Sequence, residues 1–286
     1  MVLRARPPGA ARDHGYHITA LADGGLSVSS IGRRLAAIAY AHRLGREANP
    51  CTGSDDLREL LAGVRRTLGV APKKKAAATA DLVRRMLEAC DISTVLGLRD
   101  RALLAIGFAG ALRRSELVAL RIEDLTWVDD GVRILLRRSK TDQAGAGQEI
   151  VIPRGLKIRP VAALEAWLEA AKITEGLLFR CVRKGGAVRP QPLRGIDVAR
   201  VVQRYATCIG LDASQYAGHS LRSGFCTSAA ESGANIWKIA DQSRQKSLDT
   251  LRGYVRAVDA FKDHAGSSFL VLALTFTLSL LGGVFA

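Results

Sequence analysis

Apolar residues recur along this chain at two different periods, and the switch between them organises it. From Ser27 one face runs Ile31, Leu35, Ile38, His42, with serines placed to cap its start and Arg33, Arg34, Ala37 and Tyr40 on the other faces. That spacing predicts a helix. A second helix is predicted over Asp55–Leu68, with Leu57, Leu60, Leu61 and Val64 inward and Arg58, Arg65 and Arg66 outward. The helical period resumes over residues 78–90 with Thr79 as candidate cap. It continues over 98–108, where Gly110 ends it, and over a short segment at 115–120. The period then shortens to two. TWV, a DDG turn, VRILL, a glycine-containing loop and EIVIP predict a small antiparallel sheet inserted in a helical domain. Four more helices are predicted, over Pro160–Ala171, 195–209, 221–232 and 247–255, and no internal repeat is present.

Three segments stand outside this pattern. Residues 1–15 are rich in Arg, Pro, Gly and Ala and read as a disordered basic arm. The run APKKK at 71–75 reads as a basic linker and places the domain boundary. Residues 269–286 carry no charge and are strongly apolar, although LTFTLSL also alternates with period two. The stretch falls slightly short of the roughly 20 apolar residues of a membrane span. Periodicity leaves a lipid-facing helix, a buried helix and a strand all open there.

Composition narrows the function. With 286 residues, 48% of them apolar, the chain is globular and long enough for two cores. A formal charge of +15 points to a polyanionic partner, nucleic acid first. Five cysteines, at 51, 90, 181, 208 and 226, form no CxxC and suit a reducing cytosol rather than a disulfide framework or a zinc site. The N-terminus lacks the apolar run of a signal peptide, so a cytoplasmic location is expected. No P-loop and no dinucleotide fingerprint is present, so no cofactor is implied.

The candidate chemistry lies in six residues: Arg113 in GALRRSEL, Lys140 in RRSKTD, His219 and Arg222 in GHSLR, Gln245 in SRQKS and Tyr254 in RGYVR. A phosphodiester resists attack because its non-bridging oxygens repel nucleophiles and gain charge in the transition state. Fixed guanidiniums meet that charge with bidentate hydrogen bonds. A histidine can take a proton from tyrosine or bond a phosphate oxygen. A lysine on a hairpin tip can protonate a departing sugar oxygen. A tyrosine, with ordinary pKa near 10, attacks only with positive charge and a proton acceptor nearby. Each residue singly has an ordinary alternative: a surface charge, a polar turn, a packed ring. Their order along the chain has none.

That order resembles the tyrosine recombinases, the phage-integrase family with its Xer-like members. GALRRSEL matches the first arginine box, SKTD the lysine hairpin and GHSLR the H-x-x-R box. Position 245 follows Arg222 by 23 residues and precedes Tyr254 by nine, as the family pattern has it. The resemblance covers about residues 78–263. It implies a mainly α-helical protein: a helical, SAM-like core-binding domain, then a catalytic domain holding a small antiparallel sheet. On this reading residues 16–72 are a shortened core-binding domain, 73–77 the linker, 78–265 the catalytic domain and 266–286 the apolar tail. Glu116 becomes the buttress of Arg113. The implied reaction cuts and rejoins double-stranded DNA through a 3′-phosphotyrosine, without metal or ATP. The implied assembly is a tetramer on two duplexes, with accessory DNA-binding proteins as possible partners. GLSVSSIGRRLAAIAYAHR resembles the arginine-rich DNA-facing helix of the first domain, which makes Arg33, Arg34, Lys73, Lys74 and Lys75 phosphate-contact candidates.

The chain departs from the family pattern in three places. Gln245 stands where His or Trp is usual, though its carboxamide NH2 is still a donor. The helices expected ahead of the DNA-facing one are missing from the pattern. The tail replaces a short docking helix, and docking, membrane association and an altered reading frame remain its three readings. These departures keep two alternatives open: a catalytically weakened DNA-binding relic, and a relaxase resembling type IB topoisomerases.

Overall fold

Ser27 starts its helix as the pattern predicts, its hydroxyl accepting from the Ser30 amide. The computed structural model describes residues 10–49, 55–69, 75–137, 147–245 and 247–258. The chain divides into two compact units, Met1–Lys74 and Lys75–Ala286. In the first, α1 (Ala10–Asp23), α2 (Val28–Leu44) and α3 (Asp55–Leu68) bury Ile18, Leu21, Ile31 and Leu57 together. Helix α1 corrects two expectations. It takes up residues 10–15 of the supposed disordered arm, and it supplies a helix ahead of the DNA-facing one. Ile18 and Leu21, one turn apart, gain burial against Ile31 and Leu57, which local composition does not register. Residues 1–9 of the arm, Lys73 and Lys74 of the linker, Lys140 and the tail lie outside the described residues. Among the described residues no helix is long and apolar enough to cross a membrane.

The second unit is built round α5 (Val95–Ala109). Ala102 to Ile106 are fully buried there, because the helix is covered on most sides and so is apolar nearly all round. Flanking it in sequence are α4 (Ala80–Glu88) and α6 (Arg114–Ala119). Strands β1 (Leu125–Val128), β2 (Gly131–Leu136) and β3 (Gln148–Pro153) form an antiparallel sheet in that order. The register sets Leu125 opposite Ile134 and Ile134 opposite Ile150, so one face joins the core. Next come α7 (Pro160–Ala171), the hairpin β4 (Arg180–Val182) and β5 (Val188–Pro192), and α8 (Gly195–Cys208). The unit continues through α9 (Ser220–Glu231), α10 (Ile236–Ser243) and α11 (Leu248–Val258). The hairpin and α10 were absent from the sequence pattern.

Two close approaches lock α9 in place. A Cβ on Gly224 would stand 1.7 Å from the Ala78 carbonyl oxygen, so the segment leading into α4 crosses α9 where only glycine fits. The Ala78 amide donates to Ser220 O (2.9 Å) and the Ala80 amide to Ser228 Oγ (2.8 Å). Gly107 of α5 leaves room for Leu221, the residue before Arg222.

Candidate active site

Gly110 ends α5, and the next residue, Ala111, takes a left-handed conformation (φ 45°) although it carries a Cβ. That turn aims the Ala111 carbonyl back into the protein, where two guanidiniums share it: Arg222 Nη1 at 2.9 Å and Arg244 Nη2 at 3.0 Å. Arg113, two residues on, caps α6. Glu116, one turn into α6, accepts from the Arg113 amide with Oε2 (2.9 Å) and from Arg113 Nη1 with Oε1 (2.6 Å). The Arg113 side chain is therefore only 16% exposed; it lies folded against Glu116 rather than extended from the turn.

Arg222 sits in the first turn of α9, is 2% exposed, and donates its Nη2 to Gln245 Oε1 at 3.2 Å. This bond fixes the carboxamide: its oxygen faces Arg222, leaving the NH2 as the available donor. Burial, then the charges of Arg113 and Arg244, bring the Arg222 pKa down to about 10. The guanidinium still carries its charge near neutrality. His219 stands at the N-cap of the same helix. Desolvation, and then the charges of Arg222, Arg113 and Arg114, push its pKa below the ordinary value, which favours the neutral imidazole near pH 7.

Tyr254, on α11, is half-buried in a small cluster with Cys226 of α9, Ile239 of α10 and Leu251. Burial and then Cys226 raise the phenol pKa, and Arg222 opposes them, so the resting group is protonated and needs a base. Cys226 lies one turn beyond Arg222 on α9, so the Tyr254 ring packs against the same stretch of that helix as the guanidinium.

The structure thus bonds Arg113 to Glu116 and Arg222 to Gln245, links the two pairs through Arg244 and the Ala111 carbonyl, and sets His219 and Tyr254 on α9 and against it. Lys140 lies outside the described residues. Arg33 and Arg34 are exposed on α2, in the other unit. Lys75 is exposed but folds back, donating to Ser214 O at 2.6 Å. Among the described residues no three His, Cys, Asp or Glu side chains could hold a metal ion. Sequence reasoning passed over Arg244, a buried cation at the centre of this network. A charge in the polar run SRQKS reads as a surface residue, and nothing local marks it otherwise.

Comparison with known proteins gives the same picture. Residues 77–260 match the phage integrase family. The chain is 36% identical over 253 residues to an integrase/recombinase xerD homolog of Selenomonas ruminantium, covering 87% of this chain and 74% of that protein. It is 25% identical over 256 residues to the recombinase cre of Escherichia phage P1, covering 82% and 73%. Among solved structures, the fold is similar to XerH site-specific recombinase bound to a palindromic difH substrate in a post-cleavage complex. The TM-score is 0.60 at 18% identity, over 90% of this chain and 71% of that one. It is also similar to the Tn1549 transposon integrase in complex with a circular intermediate DNA, with TM-score 0.60 at 17% identity, over 85% and 80%.

Proposed function

Because the chain belongs to the phage integrase family, we propose that Tyr254, His219, Arg113 and Arg222 form the active site with which this tyrosine recombinase cuts and rejoins double-stranded DNA. The observation that carries the assignment is a pair of arginine sites, Arg113 on Glu116 and Arg222 on Gln245, tied together through Arg244, with a neutral histidine at the N-cap of the Arg222 helix.

In the proposed reaction the Tyr254 oxygen attacks phosphorus while His219 accepts the phenolic proton. The P–O bond to the 5′ sugar breaks, leaving a 3′-phosphotyrosine and a 5′-hydroxyl. The departing oxygen receives a proton from Lys140, the role that the lysine hairpin implies. Arg113 and Arg222 each keep N–H groups beyond those bound to protein, and with the Gln245 NH2 they meet the charge that grows on the non-bridging oxygens. A 5′-hydroxyl from a partner strand then attacks the phosphotyrosine and returns the tyrosine. The energy of the cut bond is kept throughout, so no nucleotide is consumed. The proposed assembly is four copies on two duplexes. The charge of +15 supports phosphate contacts by Arg33, Arg34 and the linker lysines Lys73, Lys74 and Lys75.

A nicked suicide substrate, from which the short fragment bearing the new 5′-hydroxyl diffuses away, traps the covalent adduct. The parent protein should form it and Tyr254→Phe should not, with DNA affinity unchanged because only a hydroxyl is removed. An adduct with the Phe variant would move the nucleophile elsewhere.

A further inference from the structure

Arg244 is a cation that no catalytic role uses, yet it is among the most enclosed charges in the protein, with a side chain 1% exposed. Its Nη1 donates to Gly110 O (3.1 Å) and Gln242 O (2.6 Å), and its Nη2 to Ala111 O (3.0 Å) and Glu116 Oε2 (2.9 Å). Its own carbonyl accepts from Arg113 Nη2 at 3.3 Å. The residue is left-handed (φ 54°), a conformation that costs a side-chain-bearing residue free energy and persists only where its surroundings enforce it. That backbone turn ends α10 and delivers Gln245, the next residue, onto Arg222. Every group proposed to hold the phosphate is therefore tied to Arg244 by a hydrogen bond, a shared acceptor or a peptide bond: Arg113 through the Arg244 carbonyl, Arg222 through the Ala111 oxygen, Gln245 through the chain.

We infer that Arg244 is a positioning residue of the active site, a planar fork that fixes the α5–α6 turn bearing Arg113 to the α10–α11 loop bearing Gln245, so that the phosphate-binding donors are set before DNA arrives. This rests on the active-site reading above. A lysine could meet Glu116, but one ammonium on a flexible stem cannot serve the three carbonyls and the carboxylate in the plane that the guanidinium spans. An ordinary structural residue would lower stability and leave the chemistry of the folded fraction alone. A positioning residue alters the chemistry of the folded protein itself, and specifically the part that depends on the phosphate's charge.

The test compares R244K with the parent on suicide substrates whose scissile group is either a phosphodiester or a methylphosphonate. The methylphosphonate has no anionic oxygen and so does not need its charge met by guanidiniums. R244K is expected to bind DNA within about two-fold of the parent and to cleave the phosphodiester about 10²-fold more slowly, the scale of one lost oxyanion donor. On the methylphosphonate that deficit should shrink at least ten-fold. Equal deficits on both substrates, or parental cleavage of the phosphodiester, would overturn the inference. If R244K does not fold, R244Q, which keeps a donor for the backbone carbonyls and leaves Glu116 on Arg113, takes its place under the same criteria. Failure of both to fold makes the residue purely structural and also sinks the inference. The reading beneath it is checked separately by the parent and Tyr254→Phe on the phosphodiester. A Tyr254-dependent adduct sustains that reading whatever Arg244 does, and no adduct from the parent ends both.

Discussion

Replacing Glu116 by glutamine changes one oxygen for an NH2 group and removes one charge, and the structure makes both consequential. Oε2 accepts from the Arg113 amide and from Arg244 Nη2 at once, and Oε1 accepts from Arg113 Nη1. Glutamine keeps only one acceptor oxygen, so at least one guanidinium faces a donor instead. Arg113, Arg222 and Arg244 are then left with no carboxylate among them. Breaking a buried ion pair by removing one partner costs about 3–5 kcal/mol. For a domain of this size that corresponds to a fall in melting temperature of about 6–20 °C. Burial works against the Glu116 charge, but Arg244 and the Arg113 amide and side chain overcome it and hold the carboxyl below its ordinary value. A depressed folded-state pKa means that the contribution is complete above the unfolded value, about 4.3, and is lost as pH falls through the folded one. The gap between parent and Glu116→Gln should therefore be full at pH 7 and narrow in acid. Thermal melts across pH 3.5–7.5, with single-turnover cleavage on the nicked substrate, measure both effects. Cleavage by the folded variant should fall about 10²-fold, because Arg113 loses the carboxylate that orients it. A melting temperature within about 2 °C of the parent at pH 7, or a gap that does not vary with pH, would refute the account of Glu116 as the counter-ion of this cluster.

Two further outcomes are expected. Gln245→His should raise the cleavage rate, since an imidazole N–H beside Arg222 is a better-placed donor than a carboxamide turned by its own oxygen; a slower variant would show that the site is fitted to glutamine. The cleavage rate at sub-saturating DNA should fall with acid as His219 takes a proton, and its midpoint should lie below pH 6.5 because that pKa is depressed. A midpoint above 6.5, or a limb that persists in His219→Gln, would remove His219 as the base.

Much of this was legible in the sequence, for definite reasons. Helices α3 and α7 match their predicted limits because each begins at a strong signal, paired aspartates in one and a first-turn proline in the other, and each shows one apolar face. The boxes round Arg113, Arg222 and Tyr254 were visible because their order and spacing match the family pattern. Other features were hidden where local sequence and tertiary setting disagree. Helix α1 has an undistinguished pattern and is held by two side chains that bury against other helices. The β4–β5 hairpin contains two prolines, which count against a strand unless it is short and at an edge. Helix α10 is eight residues long with Trp237 exposed, too brief for a period to show. Arg244 is the plainest case. Its burial is made by Glu116, Gly110 and Ala111, more than 120 residues earlier, and no window of sequence contains both ends of that contact.

That separation matters for how the protein comes into being. A ribosome delivers Gly110, Ala111, Arg113 and Glu116 long before Arg222 and Arg244, so the carboxylate of Glu116 is made well ahead of its second cation. While synthesis continues, the turn that bends Ala111 backwards has neither guanidinium to hold its carbonyl. A nascent chain thus carries a nearly complete scaffold with an unassembled cutting site. The stretch from Gln242 through Tyr254 follows much later, and brings Arg244 and the proposed nucleophile together. On the proposed assignment, a nascent chain that ends before this stretch lacks both and cannot cut the DNA that its basic charge attracts.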